Sequence, residues 1–401
     1  MIGLGTVPMT HEVTLTALAP TGEAIGRLPD GRIAFVPFGL PGERVAIRIT
    51  HERRRFVRAA LHGVLCPSKA RVMPMCPHFT RCGGCDWQHI AYPAQVDFKT
   101  GLVREQLHRL GGIADPPLQP CLPALHPFGY RNRIQLVASD DGAGWGYRMR
   151  HAHTVTPIQA CPIATPALNT LIATLPTANV ACADLRLFDA GPRVVGAHPH
   201  ALNTDGTITL GRWRYLVPAE AFFQVNTAMA EVLVMEVQRA LDPQPTWRVL
   251  DLYCGVGLFT RPLAERVAYV LGVERDAAAV RAARQNVAGL AAEVWAADVG
   301  EALARPALRR VRWDAVVLDP PRAGMARLAL DRLIALHVPR AVYVSCDPAT
   351  LARDLRRLLD AGYALESVQP LDLFPQTRHV EVVARLSLPD ARAHASGPAR
   401  K

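Results

Sequence analysis

The hydrophobic pattern of the first 65 residues predicts a small β-barrel. From His11 to about Leu65, short alternating apolar segments such as HEVTLTAL, GRIAFVPF and ERVAIRIT are separated by Gly and Pro. Alternation with a period of two predicts half-buried strands, and several short strands joined by tight turns are typical of a barrel.

The middle of the chain combines one helix with a second β-rich pattern. The segment AQVDFKTGLVREQLHRLGG has apolar residues at helical spacing and ends at Gly111 and Gly112, which form a helix stop signal. The prolines of PPLQPCLP indicate a linker. From about Tyr130 to Leu216, strand-like pieces such as RIQLVAS and GTITLG alternate with turns, so we predict a central β-rich domain.

After FFQVN the pattern changes to buried strands that alternate with helices. Segments such as WRVLDLYCGVGLFT, VAYVLGVERD, WDAVVLDPPR and AVYVSCDP are separated by helical runs such as LARDLRRLLDAGY. Repeated strand–helix alternation predicts an open parallel sheet with helices on both faces, a Rossmann-like α/β domain. The last segment, SLPDARAHASGPARK, has a composition typical of a disordered tail.

Composition narrows the class of protein. The 401 residues are half apolar and one fifth charged, and neither an apolar run long enough to span a membrane nor an export leader is evident. We therefore expect a cytoplasmic protein, in which the nine cysteines are thiols or metal ligands rather than disulfides. The net charge of +10 comes almost entirely from arginine, which indicates a polyanionic partner or simply the composition of the genome.

The strand ends of the α/β pattern carry the residues of a nucleotide site. Gly255 and Gly257 let the backbone approach a ligand at the end of the first strand. Glu274 ends the next strand, where a carboxylate can bind ribose hydroxyls, and Asp298 and Asp319 end the third and fourth strands. Each acid alone could be a strand-end cap or a turn residue. Together they predict an adenosine-bearing ligand without phosphates, and S-adenosylmethionine fits that description.

Cys346 follows the apolar AVYVS strand and precedes Asp347 and Pro348, which oblige the chain to leave the strand. A free cysteine is often a buried packing residue. A cysteine at the carboxyl end of a strand, beside the other ligand-binding strand ends, is instead placed for chemistry. The position alone leaves both interpretations open.

The segments DLYCGVGLFT, LDPPR, SCDP and RHVE occur in this order after FFQVN and resemble the RNA uracil-C5 methyltransferase family. The N-terminal barrel resembles the OB-like TRAM RNA-binding module that precedes many members, so the likeness covers nearly the whole chain. It implies three domains: a TRAM-like barrel over residues 1–66, a central iron–sulfur domain over 67–91 and 120–217, and a methyltransferase domain over 92–119 and 218–387. Residues 388–401 are the expected disordered tail.

The resemblance also assigns roles to single residues. It implies that Gln224, Tyr253, Glu274 and either Asp298 or Asp319 contact S-adenosylmethionine beside Gly255 and Gly257. It makes Cys346 the nucleophile that adds to C6 of uracil, and Glu381 the general base that removes the C5 proton. His379 is the competing base, and Arg322 positions the base or a phosphate. Family members often have Asn where this chain has Asp347, which leaves the role of that residue open.

Four cysteines form a candidate metal site. Cys76, Cys82 and Cys85 have C-x5-C-x2-C spacing, and Cys161, followed by proline, is the best-placed fourth ligand. Both zinc and an iron–sulfur cluster accept four thiolates, and spacing does not separate them. The resemblance implies a 4Fe-4S cluster.

Basic residues next to aromatic residues are candidates for RNA contacts. Arg53, Arg54 and Arg55 lie in the barrel pattern, and Arg131 and Arg133 follow Tyr130. A run of charges is often only a solvated face.

We predict an S-adenosylmethionine-dependent RNA uracil-C5 methyltransferase that acts as a monomer on 23S rRNA. The resemblance implies this substrate, because the family members that combine a TRAM module with an iron–sulfur cluster are the large-subunit ribosomal RNA enzymes.

Three other functions remain as alternatives. The first is a tRNA uracil-C5 methyltransferase, and the second is a non-catalytic iron–sulfur RNA-binding protein, for which the cofactor crevice would have no purpose. The third is adenine-N6 methylation, which can use an Asp-Pro-Pro motif such as the one at Asp319. That chemistry normally has an aromatic residue after the prolines, where this chain has Arg322.

Overall fold

The structure is a computed structural model that describes residues 10–139, 142, 144–150, 152–175, 184–189, 194–197 and 205–389. Its first domain is the predicted barrel, closed in the strand order β1-β2-β3-β5-β4. The strands are β1 (His11–Leu18), β2 (Ala24–Arg27), β3 (Ile33–Val36), β4 (Arg44–Glu52) and β5 (Phe56–Cys66). Alternate side chains such as Leu15, Val36 and Ile47 are fully buried inside it, as the period-two pattern requires.

The middle of the chain contains helix α1 (Tyr92–Arg109) and a five-stranded sheet in the order β10-β9-β6-β7-β8. The sheet consists of β6 (Arg133–Ala138), β7 (Trp145–Arg148), β8 (Val155–Pro157), β9 (Asp184–Asp189) and β10 (Val194–Ala197), with helix α2 (Pro166–Thr174) between β8 and β9. All of its strand pairs are antiparallel. The β-rich pattern is therefore confirmed, whereas the predicted iron–sulfur character of this domain is not shown.

The C-terminal domain contains hairpin β11 (Asp205–Leu210) and β12 (Trp213–Pro218), helix α3 (Thr227–Leu241), and a seven-stranded sheet in the order β15-β14-β13-β16-β17-β19-β18. The sheet strands are β13 (Arg248–Leu252), β14 (Tyr269–Glu274), β15 (Ala292–Ala296), β16 (Ala315–Leu318), β17 (Arg340–Ser345), β18 (Ala364–Leu371) and β19 (Glu381–Ser387). Strand β19 lies between β17 and β18 and is antiparallel to both, so the predicted parallel sheet extends only from β15 to β17. The reason is that residues 372–380 form a loop and not a crossover helix.

Helices cover both faces of this sheet, as predicted. The remaining helices are α4 (Thr260–Ala264), α5 (Ala277–Asn286), α6 (Val299–Ala304), α7 (Pro306–Arg309), α8 (Arg327–Ile334) and α9 (Pro348–Asp360). Val249 of β13 packs in the core beneath α3 and α5, and its neighbour Leu250 packs in the core beneath α1, α6, α8 and α9. Successive residues of a strand point to opposite faces, which explains the two cores.

One predicted domain boundary differs from the packing. The hairpin β11–β12 falls in the segment assigned to the central domain, 120–217, but it packs against α3 and α5 of the C-terminal domain. Tyr215 donates a hydrogen bond to the carbonyl of Leu258 (2.9 Å), and the side chain of Asn286 bonds both the amide and the carbonyl of Leu216. These contacts place the hairpin with the α/β domain.

No helix within the described ranges is both long and apolar enough to cross a membrane. Of the predicted tail 388–401, residues 390–401 lie outside the described residues.

Candidate active site

The carboxyl ends of β13, β14, β16 and β17 meet at one edge of the C-terminal sheet. After β13 the chain turns sharply through Tyr253, Gly255 and Gly257, all with positive φ (65°, 55° and 87°). Glycine adopts this conformation without cost, but Tyr253 must be held in it by its surroundings. Glu274, at the end of β14, accepts a hydrogen bond from the Gly255 amide with Oε2 (3.1 Å). The predicted glycine turn and its carboxylate are therefore in direct contact.

Asp298 lies at the rim of this edge. Its Oδ1 accepts hydrogen bonds from the amides of Gly300 (2.8 Å) and Glu301 (3.3 Å), so it is the N-cap of α6. Its side chain is exposed. The structure thus shows Asp298 as a helix cap, and its contact with a cofactor stays a prediction.

Asp319 lies deeper, at the end of β16, where its amide donates to the carbonyl of Leu252 (3.2 Å). Burial, together with the charges of Asp251 and Glu274, raises the pKa of the Asp319 carboxyl. Asp251 is fully buried, and burial raises its pKa to about 7 although Thr260 donates to it. Sequence reasoning missed Asp251, although a carboxylate inside the apolar strand RVLDL was a signal.

Gln224 is buried in a segment that Asn132 and Asn226 hold in place. Asn132 Nδ2 donates to the carbonyl of Gln224 (3.0 Å), and Asn226 Nδ2 donates to the carbonyl of Leu373 (3.2 Å). Asn226 also caps α3. Sequence reasoning assigned no role to either asparagine, because their partners are distant along the chain.

Cys346 follows directly after β17 and is partly buried. Asp347 is the N-cap of α9, and its Oδ1 accepts hydrogen bonds from the amides of Ala349 (3.0 Å) and Thr350 (3.1 Å). Asp and Asn are almost equally good N-caps, so a capping role accommodates Asp where Asn is common. The structure thus gives residue 347 a capping role.

Two carboxyl groups and one arginine influence the charge state of Cys346. The pKa of its thiol is raised to about 12, first by burial and then by Glu381 and Asp319, while Arg322 opposes the shift. Glu381 begins β19 and is buried, and its pKa lies well above the ordinary value because of burial and Asp319. Cys346, Glu381 and Asp319, at the ends of β17, β19 and β16, therefore influence one another electrostatically.

His379 is in a different electrostatic state from Glu381. Its pKa is lowered to about 4 by burial and by the positive charges of Arg322 and Arg378, which keeps the ring neutral at pH 7. The Nη2 of Arg322 lies 2.7 Å from His379 Nδ1 and donates to the ring. Thr350 Oγ1 donates to the Arg322 carbonyl (3.0 Å) and fixes that arginine. The acceptor nitrogen of His379 is thus occupied, which disfavours it as the base.

The four predicted cysteine ligands surround one cavity. Its volume is about 180 Å³, and Cys76, Cys82, Cys85 and Cys161 all line it. Burial and the neighbouring thiols raise the pKa of Cys76 and Cys82, and raise that of Cys85 to about 12. No group of three or more His, Cys, Asp or Glu side chains is drawn together tightly enough to hold one metal ion in the part of the chain that the structure describes. The four thiols surround the cavity, and their sulfur atoms are not close enough together to bind one metal ion.

The predicted RNA-contacting arginines divide into two groups. Arg53, Arg54 and Arg55 are exposed in the turn between β4 and β5. Arg131 instead lines the cysteine cavity, and its Nε donates to the carbonyl of Arg133 (2.9 Å). Arg133 lies 4.4 Å from the centre of the Phe188 ring and bonds the carbonyl of Ala221, and burial lowers its pKa to about 10. The last two arginines therefore make internal contacts, and their contact with RNA stays a prediction.

The two phenylalanines that precede Gln224 differ in exposure. Phe223 is 3% exposed and packs in the core, while Phe222 is 70% exposed. Phe222 is therefore free to contact a ligand, and Phe223 is not.

Comparisons with known proteins agree with this architecture. Residues 7–61 match the TRAM domain family, and residues 202–297 and 300–387 match the family described as tRNA (Uracil-5-)-methyltransferase. An uncharacterized RNA methyltransferase of Gloeobacter violaceus is 35% identical, over 94% of this chain and 96% of its own length. The 23S rRNA (uracil(1939)-C(5))-methyltransferase of Pectobacterium atrosepticum is 34% identical, over 93% of this chain and 92% of its own.

A solved structure shares the whole fold. The tRNA (uracil-54, C5)-methyltransferase of Pyrococcus abyssi, in complex with S-adenosyl-L-homocysteine, is 26% identical, with a TM-score of 0.74. The similarity covers 95% of this chain and 100% of that one.

Proposed function

The chain belongs to the RNA uracil-C5 methyltransferase family and is an S-adenosylmethionine-dependent enzyme of that class, and on this premise we propose that its substrate is 23S ribosomal RNA. The support is the 34% identity, over nearly the full length, to an enzyme named for uracil 1939 of that RNA. The tRNA alternative rests on the solved structure named for uracil 54, which is less similar at 26%.

In this proposal S-adenosylmethionine occupies the edge formed by Tyr253, Gly255 and Gly257. Glu274 accepts hydrogen bonds from the ribose hydroxyls, and Gln224 and Asp319 contact the methionine side of the molecule. The buried Gln224 and the partly buried Asp319 support this division, because a sulfonium must be shielded from water next to its acceptor. The exposed Asp298 lies at the adenosine end, where its free oxygen is still available.

The proposed reaction begins at Cys346. Its thiol gives up a proton to a neighbouring carboxylate, and the sulfur adds to C6 of uracil, which builds enolate character at C5. C5 then takes the methyl group from S-adenosylmethionine, whose S–CH3 bond breaks to leave S-adenosylhomocysteine. Glu381 removes the remaining C5 proton, and the C6–S bond breaks to release 5-methyluridine. The observation that carries this mechanism is the shared electrostatic environment of Cys346, Glu381 and Asp319. A raised pKa suits Glu381 to a base that acts near neutral pH.

Two variants separate the two chemical roles. Cys346→Ala should bind S-adenosylmethionine but form neither a covalent RNA adduct nor product. Glu381→Gln should add to uracil and transfer the methyl group but stall before elimination, and so accumulate an adduct visible as a slow band on a denaturing gel. Near-normal turnover by Cys346→Ala would exclude it as the nucleophile. If Glu381→Gln turns over without accumulating adduct, the base lies elsewhere and His379 is tested next.

The substrate is tested with labelled S-adenosylmethionine and purified RNA. The 23S RNA from a strain that lacks this protein should accept label at one or a few uridines, and nucleotide-resolution mapping should locate 5-methyluridine there. Transfer of label to tRNA alone would support the alternative.

We further propose that Cys76, Cys82, Cys85 and Cys161 hold a 4Fe-4S cluster. Four thiols around a cavity of about 180 Å³ fit a polynuclear cluster better than a single zinc ion, which requires ligands converging at about 2.3 Å. Such a cluster would cross-link the central domain. Protein purified without oxygen should contain iron and sulfide, and Cys161→Ser should lose both. Stoichiometric zinc in their place would refute the assignment.

A further inference from the structure

We propose that Asp86 is a positioning residue for the methylation reaction. In this inference it couples the cysteine segment, residues 76–85, to the 372–380 loop that leads into Glu381. The inference rests on the proposed role of Glu381 as the base. It assigns to the cysteine segment a task in catalysis that is distinct from RNA binding.

The backbone of the 372–380 loop is held from the side of the cysteine segment. The amides of Asp86 and Trp87 both donate to the carbonyl of Gln376, at 3.0 Å and 2.9 Å. Gln376 has a φ of 67°, a left-handed conformation that non-glycine residues rarely adopt. Its amide donates to Gln95 Oε1 (3.0 Å), and Gln95 Nε2 donates back to Gln376 Oε1 (3.0 Å). A strained residue held by this many bonds near a reactive group is typical of a pre-organised site.

The side chain of Asp86 makes the second link. Its Oδ2 lies 3.2 Å from Nη1 of Arg378, and its Oδ1 lies 2.8 Å from Nη2 of Arg150. Arg150 also donates to the carbonyl of Cys85 (2.9 Å), so one arginine connects the last cysteine of the segment to Asp86. Arg378 is three residues before Glu381. Cys85 is therefore linked to Glu381 through the ion pairs of Asp86 with Arg150 and Arg378, and through the short backbone segment between Arg378 and Glu381.

The barrel packs against Trp87 and Arg378, where the cysteine segment meets the 372–380 loop. The indole Nε1 of Trp87 donates to the carbonyl of Gly22 (3.3 Å), in the turn between β1 and β2. A Cβ added at Gly22 would lie only 3.0 Å from Cδ of Arg378. Arg378 thus has little room to move away from Asp86. The barrel, helix α1 and the segment Asp86–Trp87 therefore together hold residues 376–378, directly before the strand that begins with the base.

The test compares Asp86→Asn with Glu366→Gln, a matched control that removes a partly buried carboxylate paired with Arg385 far from the junction. In Asp86→Asn, covalent adduct and methyl transfer should form at rates within about threefold of wild type. Resolution of the adduct should slow by about tenfold, and amide hydrogen exchange in residues 372–381 should accelerate by a similar factor. Glu366→Gln should change neither. Arg378→Met should reproduce the slow resolution, and Arg378→Lys should largely restore it.

Two results would overturn the proposal. One is wild-type adduct resolution in both Asp86→Asn and Arg378→Met, and the other is an equal loss of every step with a lowered melting temperature in both variants. Failure of the proposed base is a separate outcome, because Glu381→Gln itself would then not accumulate adduct. In that case hydrogen exchange alone decides the coupling: unchanged exchange in Asp86→Asn refutes it, and faster exchange in residues 372–381 supports it.

Discussion

Replacing Lys99 by Met should destabilise the protein strongly, because it leaves a carboxylate buried without a cation. Lys99 Nζ lies 2.5 Å from Asp372 Oδ1, and both side chains are fully buried. Lys99 also donates to the carbonyl of Phe374 (3.1 Å), while Tyr92 donates to Asp372 Oδ2 (3.0 Å). Burial lowers the pKa of Lys99, and the attraction of the Asp372 carboxylate partly opposes this shift. The pair fastens α1 to the beginning of the 372–380 loop.

The size of the effect follows from general magnitudes. Breaking a buried ion pair by removing one partner costs about 3–5 kcal/mol. Unfolding 401 residues at about 2.1 cal/mol/K per residue gives an entropy of about 0.8 kcal/mol/K, so Tm should fall by about 4–6 °C. The orphaned Asp372 would have a raised pKa, so the folded state would bind a proton more tightly than the unfolded chain. The loss should therefore be larger at pH 8 than at pH 5.

Thermal melting of the full chain at both pH values measures this prediction. Lys69→Met is the control, since Lys69 is exposed. The double variant Lys99→Met/Asp372→Asn should recover part of the loss, because the uncompensated charge is gone while an acceptor remains for Tyr92. A Tm for Lys99→Met within about 1 °C of the control at both pH values would refute the reasoning.

Three further predictions concern other parts of the molecule. In a Glu381→Gln background, the rate of adduct formation should rise between pH 6 and pH 9. Burial, the largest cause of the raised pKa of Cys346, remains in this variant and keeps most of the residue a thiol; a flat profile would contradict this. Changing Arg53, Arg54 and Arg55 together to Gln should flatten the salt dependence of RNA binding by about 2 units of log–log slope, and an unchanged slope would make the run only a solvated face. Asp347→Asn should leave Tm unchanged, whereas Asp347→Ala should cost about 1 kcal/mol as a lost helix cap; equal Tm values for the two would argue against capping.

The local patterns of the sequence were enough to predict most elements and the position of the site. Period-two alternation marks the barrel strands, and the alternation of strands and helices places Glu274, Asp319 and Cys346 at the same sheet edge. These predictions succeed because each depends on residues a few positions apart, or on the rule that parallel strands end together. The reaction class and the identification of the barrel as a TRAM module came from resemblance to a known family, not from the physical pattern.

Contacts between distant parts of the chain were decided only by the tertiary structure. Lys99 and Asp372 are 273 residues apart, and Asp86 and Arg378 are 292 apart. The antiparallel position of β19, the packing of β11–β12 on the α/β domain and the internal contacts of Arg131 and Arg133 have the same origin. An arginine in the sequence is the same residue whether it meets RNA or a buried carbonyl. Which partner it contacts depends on the tertiary fold, and the periodicity of the sequence carries no information about contacts between distant residues.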